Sequence, residues 1–419
     1  MRVLFYLPVV TPWWFDNIVV HLIRTLASVA EVHVVVAPLW RNTGITPENF
    51  MALQDLPGIS WHICDGDDHP LIRTDAARHA ELMDLVVAID ADVTLCRSAD
   101  MAATGQFPGQ VRYIMEGGMP PLECPSDCVV IQPAMFDYGV LPTLASQHRA
   151  WLRDAIAPIW NDLHARHRID RTADWRGRLG LPNSGRVIAL PLEYAHEENF
   201  YTRYSRCGSN PDLVRDIAER LPDGWSLAIT NHPLNELYVD NSALYAAVDE
   251  LPGRAVLVPA PFVSGIGTLD LAGLCDGILL ENSKSFAAAA FHGTPLHRHS
   301  AFPTGTWLRS YGTPEALFDA IADGSARGPD SDDAKSWFAY HLANSVIDPD
   351  HADTDAAALL GHILNPCDPT RWEAGIDRYL RQRTEGRVQS PDESDAAAKM
   401  RGGEDSSGPS HAQREPVLC

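Results

Sequence analysis

The chain has 419 residues, of which 45% are hydrophobic and 21% charged, and this is the composition of an ordinary globular protein long enough for two domains. Its formal net charge of −22 argues against a nucleic-acid backbone as the main partner and against docking on anionic lipid through a broad basic face. A local basic pocket is compatible with that charge.

The first 170 residues alternate short apolar runs with helical patterns, which predicts a doubly wound α/β domain. A helix is predicted over 16–28, and Thr46 followed by Pro47 predicts the start of another. The β-branched run at 32–36 is typical of a central parallel strand. Strands are predicted at 3–7, 32–36, 59–64, 85–89 and 112–115.

The apolar N-terminal run reads as a first strand, since it carries one positive charge, soon reaches two prolines and lacks a small-residue cleavage site. No run of about 18 apolar residues predicts a transmembrane helix. The eight cysteines are scattered, mostly beside apolar runs, which favours a reducing, cytoplasmic location. Cys124 and Cys128 are not accompanied by a second pair of Cys or His residues at zinc-binding spacing, so no metal is expected. No other cofactor is expected either.

A long helical stretch at 143–168, interrupted by Pro158, leads to a short helix that ends at Gly180, where we place the linker. A second α/β alternation starts at 186–191. After about Glu385 large apolar residues almost vanish, which predicts a disordered tail. Later strands are predicted at 225–230, 255–258 and 277–280. Thr313 followed by Pro314 predicts the start of a helix through 321, and further helices are predicted at 210–221, 269–275, 286–292, 334–346, 354–364 and 370–383.

These elements predict an N-terminal Rossmann-like domain at 1–170, a second at 171–365, a C-terminal helix at 366–384 and a tail at 385–419. Two such domains facing a central cleft suit an enzyme that binds a nucleotide-linked donor in one half and an acceptor in the other.

Polar residues follow the strand at 277–280, at the start of an alanine-rich helix. Asn282 or Ser283 is a candidate N-cap, and Gly293 is the expected left-handed C-terminal residue. Backbone N–H groups at such a helix start bind phosphate in α/β proteins, and Ser283 and Ser285 add hydroxyl donors. An ordinary capped turn between strand and helix is the alternative.

Three more loops place polar side chains where strands end. Glu116 begins a loop of glycines and prolines that can hold a carboxylate for acid–base work. Glu193 and Glu197 lie in an acidic loop after the strand at 186–191, and carboxylates with pKa-shifting neighbours suit a nucleophile or a base. His232 and Pro233 follow the strand at 225–230, and an imidazole there can donate to a phosphate.

The order of these loops resembles the bacterial capsular polysaccharide synthesis proteins, a family of GT-B-type glycosyltransferases that includes the β-Kdo transferases. The resemblance covers about 112–303 and rests on four segments. They are Glu116-Gly117-Gly118 with the following Pro120-Pro121, Pro191-Leu192-Glu193 with Glu197, Asn231-His232-Pro233, and Asn282-Ser283-Lys284 followed by Gly293-Thr294-Pro295.

The resemblance implies a GT-B-type α/β fold of two doubly wound domains, with acceptor binding on the first and nucleotide-sugar binding on the second. It implies Glu116 as acid or base and Glu197 as the second catalytic carboxylate. The implied donor-binding residues, with CMP-Kdo as the usual donor, are Glu193, His232, Pro233, Asn282, Ser283 and Ser285.

This chain departs from the family at three positions: Glu193 stands where Gln is usual, Glu197 where Asp is usual, and Thr230 where Lys precedes His-Pro. A glutamate reaches about one methylene further than an aspartate, which changes the geometry of attack. The expected activity is therefore a metal-independent glycosyltransferase whose donor sugar stays open.

Three alternatives stay open. They are a sugar-nucleotide 2-epimerase, a glycerol-phosphate transferase, and a non-catalytic nucleotide-sugar-binding scaffold in polysaccharide assembly. The expected partners are a nucleotide-sugar donor and a saccharide or glycolipid acceptor, with no nucleic acid. Peripheral association with the inner membrane or with a polysaccharide export complex is a further option.

Overall fold

The structure is a computed structural model that describes residues 1–39, 43–51, 53, 56–64, 75–137, 139–171, 174–196, 201, 204–350 and 355–387. Glu197 lies outside these residues, and so does the predicted disordered tail from residue 388 onward.

The first sheet contains six consecutive strands: β1 (Arg2–Leu7), β2 (Glu31–Val36), β3 (Ile59–Ile63), β4 (Val93–Cys96), β5 (Gln110–Glu116) and β6 (Val129–Gln132). The strands β1 to β5 are parallel and lie in the order 3-2-1-4-5, with β6 antiparallel at the far side of β5. The order reverses between β1 and β4, and α/β proteins bind ligands at the carboxyl ends of strands beside such a reversal.

The second sheet repeats this plan with β7 (Val187–Pro191), β8 (Ser226–Thr230), β9 (Ala255–Leu257), β10 (Gly277–Leu280) and β11 (Leu296–Arg298). All five described strands are parallel in the order β11-β10-β7-β8-β9, so the reversal falls between β7 and β10. The predicted fold class of two Rossmann-like α/β units is confirmed.

The helices surround the two sheets, and several caps are those the sequence predicts. Thr313 caps its helix through its side chain, and Gly293 ends an alanine-rich helix with φ +67°. The helices are α1 (Pro12–Trp14), α2 (Val20–Ala27), α3 (Pro47–Met51), α4 (Ala80–Ile89), α5 (Met101–Thr104), α6 (Ser146–Arg166), α7 (Trp175–Leu179), α8 (Asn210–Arg220), α9 (Pro233–Tyr238), α10 (Ser242–Asp249), α11 (Pro261–Ser264), α12 (Thr268–Leu274), α13 (Phe286–His292), α14 (Pro314–Ala322), α15 (Ser331–Tyr340), α16 (Ala356–Leu364) and α17 (Trp372–Thr384).

One strand prediction is wrong. Residues 85–89 form the last part of α4, which begins at a His79 cap and ends at Asp90 in the left-handed region. Within this apolar run Val86 is buried and Val87 is exposed, because a surface helix buries only one of its sides. A short apolar run has the same composition in a buried strand and in a helix, and the true strand is the next run, β4.

The chain returns to the first sheet after the second. Strand β12 (Val346–Ile347) pairs antiparallel with β6, and α16 packs its buried Leu359 and Ile363 into the same core as β1 and β2. The sequence prediction had these residues in the second unit, through residue 365. The helix α17 also packs against the first unit, where Gln382 donates to Asp348.

The two units share a continuous hydrophobic core. Helices α6 and α15 pack against each other beside the sheets, and Trp160 of α6 contacts both Phe291 of α13 and Phe338 of α15. Phe136 of the first unit also contacts Phe302 of the second, at 5.0 Å between ring centroids. Among the described helices none is long and apolar enough to cross a membrane.

Candidate functional site

The carboxyl ends of the two sheets face each other across the boundary between the units, where Glu116 lies between two cations. Arg97, directly after β4, donates to Glu116 at 2.5 Å, and Lys284, in the loop that follows β10, lies 3.4 Å from the other carboxylate oxygen. All three side chains are at most 16% exposed. Glu116 therefore connects residues that follow β4 and β10, and the strand order of each sheet reverses beside one of these strands.

The position of Arg97 is fixed by its other contacts. Its guanidinium stacks on the Trp14 ring at 3.8 Å and donates to the carbonyl of Ile114 at 3.4 Å. Because planar guanidinium groups lose little further freedom in such an arrangement, Arg97 is a permanent partner of Glu116.

These cations determine the protonation of Glu116. Burial opposes ionisation, but Arg97 first and then Lys284 outweigh it, and the pKa of Glu116 is lowered to about 2. Glu116 is thus a carboxylate at neutral pH. It has no proton to give as a general acid, and it becomes an effective base only when one of its cations moves away.

The glycine loop after Glu116 is held from the far end of the chain. Burial lowers the pKa of His341 to about 4, so its neutral ring donates from Nε2 to the Gly117 carbonyl at 2.7 Å. In the same loop burial raises the pKa of Glu123, while the charge of Lys284 opposes that rise. The loop is therefore a packed structure rather than an exposed turn.

A second carboxyl, Glu193, lies at the carboxyl end of β7 in the opposite electrostatic state. Burial and then the neighbouring Glu281 raise the pKa of Glu193 to about 8, although Asn282 and Arg298 act in the other direction. Its Oε1 atom is buried without a hydrogen-bond partner among the described residues. Glu193 is mostly protonated at neutral pH and can donate a hydrogen bond.

Glu281 follows β10 directly and organises the next loop. It is 5% exposed and accepts hydrogen bonds from the Ser205 hydroxyl at 2.9 Å and from the Arg206 backbone N–H at 2.5 Å. Glu193 and Glu281 therefore form an acidic pair at the carboxyl ends of β7 and β10, where the strand order of the second sheet reverses.

His232 ends the loop after β8 and caps α9. Its Nδ1 accepts from the Leu234 backbone N–H at 3.2 Å, so a neutral ring carries its proton on Nε2. The adjoining Asn235 donates to the Glu193 carbonyl at 2.9 Å, which ties the His232 loop to the Glu193 loop. Pro233 is the exposed first residue of α9.

The stretch from 282 to 285 differs from the predicted cap. The helix α13 begins at Phe286, and Ser285, not Asn282 or Ser283, occupies its cap position without a side-chain capping bond. Ser283 donates to the Ser285 hydroxyl at 2.9 Å and accepts from its backbone N–H at 3.1 Å. The stretch is therefore a turn in which hydrogen bonds between Ser283 and Ser285 precede the start of the helix.

Asn282 is the buried member of this stretch, at 4% exposed. Its Oδ1 accepts from the Ser300 hydroxyl at 2.5 Å, while its Nδ2 has no hydrogen-bond partner among the described residues. Ser283 and Ser285 are partly exposed. The stretch therefore places two partly exposed serines and Lys284 at the boundary between the two units.

Arg298, the last residue of β11, connects the two units. Its guanidinium donates to the Phe136 carbonyl of the first unit at 3.0 Å and to the Thr304 hydroxyl at 2.6 Å. Beside it, burial raises the pKa of Asp137 to about 6, with the charge of Arg298 opposing the rise. This edge of the cleft is a polar junction between the two units.

The structure brings Glu116 next to the 282–285 stretch and ties His232 to the Glu193 loop; it does not describe Glu197. The sequence reasoning missed Arg97, Glu281 and the partnership of Lys284. Two signals could have found them. Arg97 and Glu281 each follow a strand directly, and Lys284 is one of only three lysines in the chain.

One group of described residues has metal-ligand types close together. Ligand atoms of Asp127, Cys128 and Asp348 lie within 4.8 Å of one another, without Cys124. The Arg387 guanidinium donates to Asp348 at 2.9 Å and to Asp127 at 3.1 Å, and it therefore provides the positive charge that these carboxylates need.

The comparisons with known proteins are distant. No family model matches the chain, and no curated protein matches its sequence. Among solved structures, the chain is similar to KpsC of Thermosulfurimonas dismutans, a β-Kdo 2,7 transferase, with 10% identity, a TM-score of 0.42, and coverage of 79% of this chain and 98% of that one.

Two further similarities have lower TM-scores. Alr3699/HepE of Anabaena, solved with UDP and glucose, gives 11% identity and a TM-score of 0.31 over 87% of this chain and 99% of that one. The UDP-GlcNAc 2-epimerase of Methanocaldococcus jannaschii gives 9% and 0.29 over 80% and 98%. At these TM-scores the function has to be argued from the site itself.

Proposed function

We propose that the chain is a GT-B-type glycosyltransferase that moves a sugar from a nucleotide donor to a saccharide or glycolipid acceptor. The observation that carries this proposal is the contact of Glu116 with Arg97 and Lys284, because it places an ionised carboxylate between the carboxyl ends of two Rossmann-like sheets. Such a cleft suits two substrates, one held by each sheet.

In the proposed reaction Glu116 accepts the proton of an acceptor hydroxyl while that oxygen attacks the anomeric carbon of the donor sugar. The bond from the anomeric carbon to the phosphate oxygen breaks, and its electrons leave with the nucleotide. One proton moves to Glu116 and one negative charge moves to the phosphate, so the step needs no other reactant.

The leaving phosphate needs positive charge or hydrogen-bond donors. His232 supplies a donor at Nε2, since its Nδ1 accepts from the Leu234 backbone. The Ser285 hydroxyl accepts the proton of Ser283, so its own proton can provide a second donor in the loop beyond β10. A protonated Glu193 fits a neutral acceptor group of the donor, such as a carbonyl oxygen of the base.

CMP-Kdo is the first donor to test, and the reaction is proposed to need no metal because arginine and lysine side chains provide the positive charge of the cleft. Glu197 remains the proposed second carboxylate. The proposed setting is cytoplasmic, with capsule or surface polysaccharide as the acceptor class, and peripheral contact with the membrane or an export complex is part of the same proposal.

The test is a thermal-shift screen of the purified chain against CMP, CDP, UDP, GDP and ADP, since a ligand that binds only the folded state raises the melting temperature. Stabilisation that His232→Ala and Ser283→Ala both abolish supports the donor site. His79→Ala is the matched control, because His79 caps α4 through Nδ1 in the way that His232 caps α9. If no nucleotide stabilises the wild-type chain, the proposal fails.

One observation favours a second candidate, a nucleotide-sugar-binding scaffold. Glu116 is bound by two cations in the ligand-free chain, and a carboxylate in that state is a weak base. A scaffold would bind a nucleotide sugar without releasing its sugar, and Glu116→Gln would leave its cellular role intact. Release of the nucleotide only when an acceptor is present identifies a transferase and also excludes a 2-epimerase.

A further inference from the structure

We propose that Lys284 binds the phosphate of the nucleotide donor and leaves Glu116 to do so. This inference rests on the proposed function and deepens it. In the ligand-free chain, the contact with Glu116 would hold Lys284 next to the proposed phosphate site.

The first argument is the balance of charge. Glu116 carries one negative charge and contacts two cations, while burial favours the neutral form of the nearby Glu123, so this group of side chains has one positive charge in excess. Buried charge in excess is costly unless it is paired. A phosphate that enters the cleft would pair the excess charge and lower that cost.

The second argument is the difference between the two contacts. Arg97 lies 2.5 Å from Glu116, is 7% exposed and stacks on Trp14, whereas Lys284 lies 3.4 Å away and is 15% exposed. A lysine ammonium is a point charge on a flexible stem, and an arginine stacked on an aromatic ring is not. Lys284 is therefore the cation that can exchange its partner.

The third argument is position. Lys284 lies between Ser283 and Ser285, four residues beyond the end of β10, which is one of the two strands at the reversal of the second sheet. Both serines are partly exposed there. A cation flanked by hydroxyl donors at the carboxyl end of a parallel sheet has the chemistry that binds phosphate.

Exchange of partner has a consequence for catalysis. With Lys284 on the donor phosphate, Glu116 keeps only Arg97, and the loss of one nearby positive charge makes the carboxylate a stronger base. Binding of the donor would then make Glu116 a stronger base. Without the donor, Glu116 would stay a weak base and would not take the proton of an acceptor hydroxyl.

The experiment measures the affinity of each variant by calorimetry for CMP and cytidine, for UDP and uridine, and for inorganic phosphate. Lys284→Met should weaken the preferred nucleotide 10- to 100-fold, the range of a charge-assisted phosphate contact, while the affinity for its nucleoside stays the same. Lys284→Arg should retain most of the affinity. Lys335→Met is the matched control, since Lys335 pairs with Asp332 on α15 and its variant should bind as the wild type does.

Glu116→Gln provides the test that a purely structural role would not pass. It removes the competitor for Lys284, so nucleotide affinity should rise severalfold even though transfer is lost. In a Lys284→Met background the same substitution should leave the affinity unchanged, because the interaction between the two sites is gone.

Failure of the inference and failure of the proposed function give different results. If the wild-type chain binds no nucleotide, the proposed function fails. If it binds CMP or UDP and Lys284→Met binds equally well, the transferase proposal stands and the role of Lys284 is refuted. Equal weakening of nucleotide and nucleoside would also refute it, since the lysine would then support the fold rather than contact the phosphate.

Discussion

Glu116 and Glu193 are two carboxyl groups in similar places with opposite protonation. Each lies at the carboxyl end of a parallel strand, and burial alone would raise the pKa of either. Arg97 and Lys284 lower the pKa of Glu116 to about 2, whereas Glu281 helps to raise that of Glu193 to about 8. At neutral pH one is a carboxylate and the other an acid.

The charge of the neighbouring side chains, rather than the residue type, therefore assigns the chemical role of each carboxyl group. The first unit supplies Arg97 and an anion that can accept a proton, and the second unit supplies a neutral acid that can donate a hydrogen bond. Pairs of titratable groups whose environments separate their pKa values are the usual mark of an acid–base site.

The largest expected effect comes from Glu116→Gln in the proposed transfer reaction. Loss of a general base lowers the rate by a factor of about 10² to 10⁴, and the donor should still bind. Initial rates of nucleotide release with donor and acceptor measure this. Glu315→Gln is the control, because Glu315 pairs with Arg220 on the surface and its loss should not change the rate. A Glu116→Gln enzyme with full activity would assign the base to another residue.

The next largest effect is on stability, through Arg97→Met. The variant leaves the buried Glu116 with Lys284 alone, and breaking such a pair should lower the free energy of unfolding by about 3 kcal/mol. Arg215→Met, which removes an exposed pair with Glu250, should cost much less, because solvent screens the attraction between exposed charges. Urea unfolding of both variants at pH 7 makes the comparison, and equal costs would contradict it.

The contact between Glu116 and Arg97 also predicts that the free energy of unfolding falls at acidic pH. The folded-state pKa of Glu116 lies below its ordinary value of 4.5, so its stabilisation is complete above about pH 4.5 and is lost as the pH falls toward 2. Arg97→Met should reduce this loss, since less of the stabilisation exists to be removed.

Glu193→Gln should have the opposite sign. The folded-state pKa of Glu193 is raised, so the wild-type chain loses stability as the pH rises from about 4.5 to about 8. The neutral amide cannot ionise, and at pH 9 the variant should be more stable by roughly 2 kcal/mol, less than the full pKa difference gives because the residue is partly exposed. Near pH 4 the two proteins should unfold alike. A variant that is less stable at pH 9 would show that Glu193 is ionised and paired.

The smallest effect is expected from Tyr201→Phe, which tests whether the cations alone determine the state of Glu116. The Tyr201 hydroxyl donates to the Ser98 hydroxyl at 3.3 Å, close to Arg97. Its loss should change the free energy of unfolding by less than about 1 kcal/mol and leave the acid dependence in place. A large shift in the acid dependence would mean that the tyrosine, and not only the charges, holds Glu116.

Much of the fold could be predicted from the sequence because its signals are local. The β-branched run of β2, the threonine cap of α14 and the glycine end of α13 each depend on a few adjacent residues. The error at 85–89 came from the same source, since a five-residue apolar run does not distinguish strand from helix. Strand β12 was missed because two residues acquire their strand conformation only by pairing with β6.

The candidate site was predictable only in part. Glu116, His232 and the 282–285 stretch were found because each follows a strand, and parallel strands bring such positions to one edge. Which residues would meet across the two units was not predictable, because Arg97 and Lys284 are 187 residues apart in the sequence and share Glu116 only in the folded chain. The protonation states depend on that meeting.

The most direct measurement of the central claim is a carboxyl ¹³C NMR titration of the glutamate-labelled chain, with Glu116→Gln and Glu193→Gln assigning the two signals. We expect Glu116 to titrate near pH 2 and Glu193 near pH 8, and a bound nucleotide to move the Glu116 midpoint upward. If both groups titrate near their ordinary value of 4.5, the cleft does not separate an acid from a base, and the proposed transferase site is contradicted.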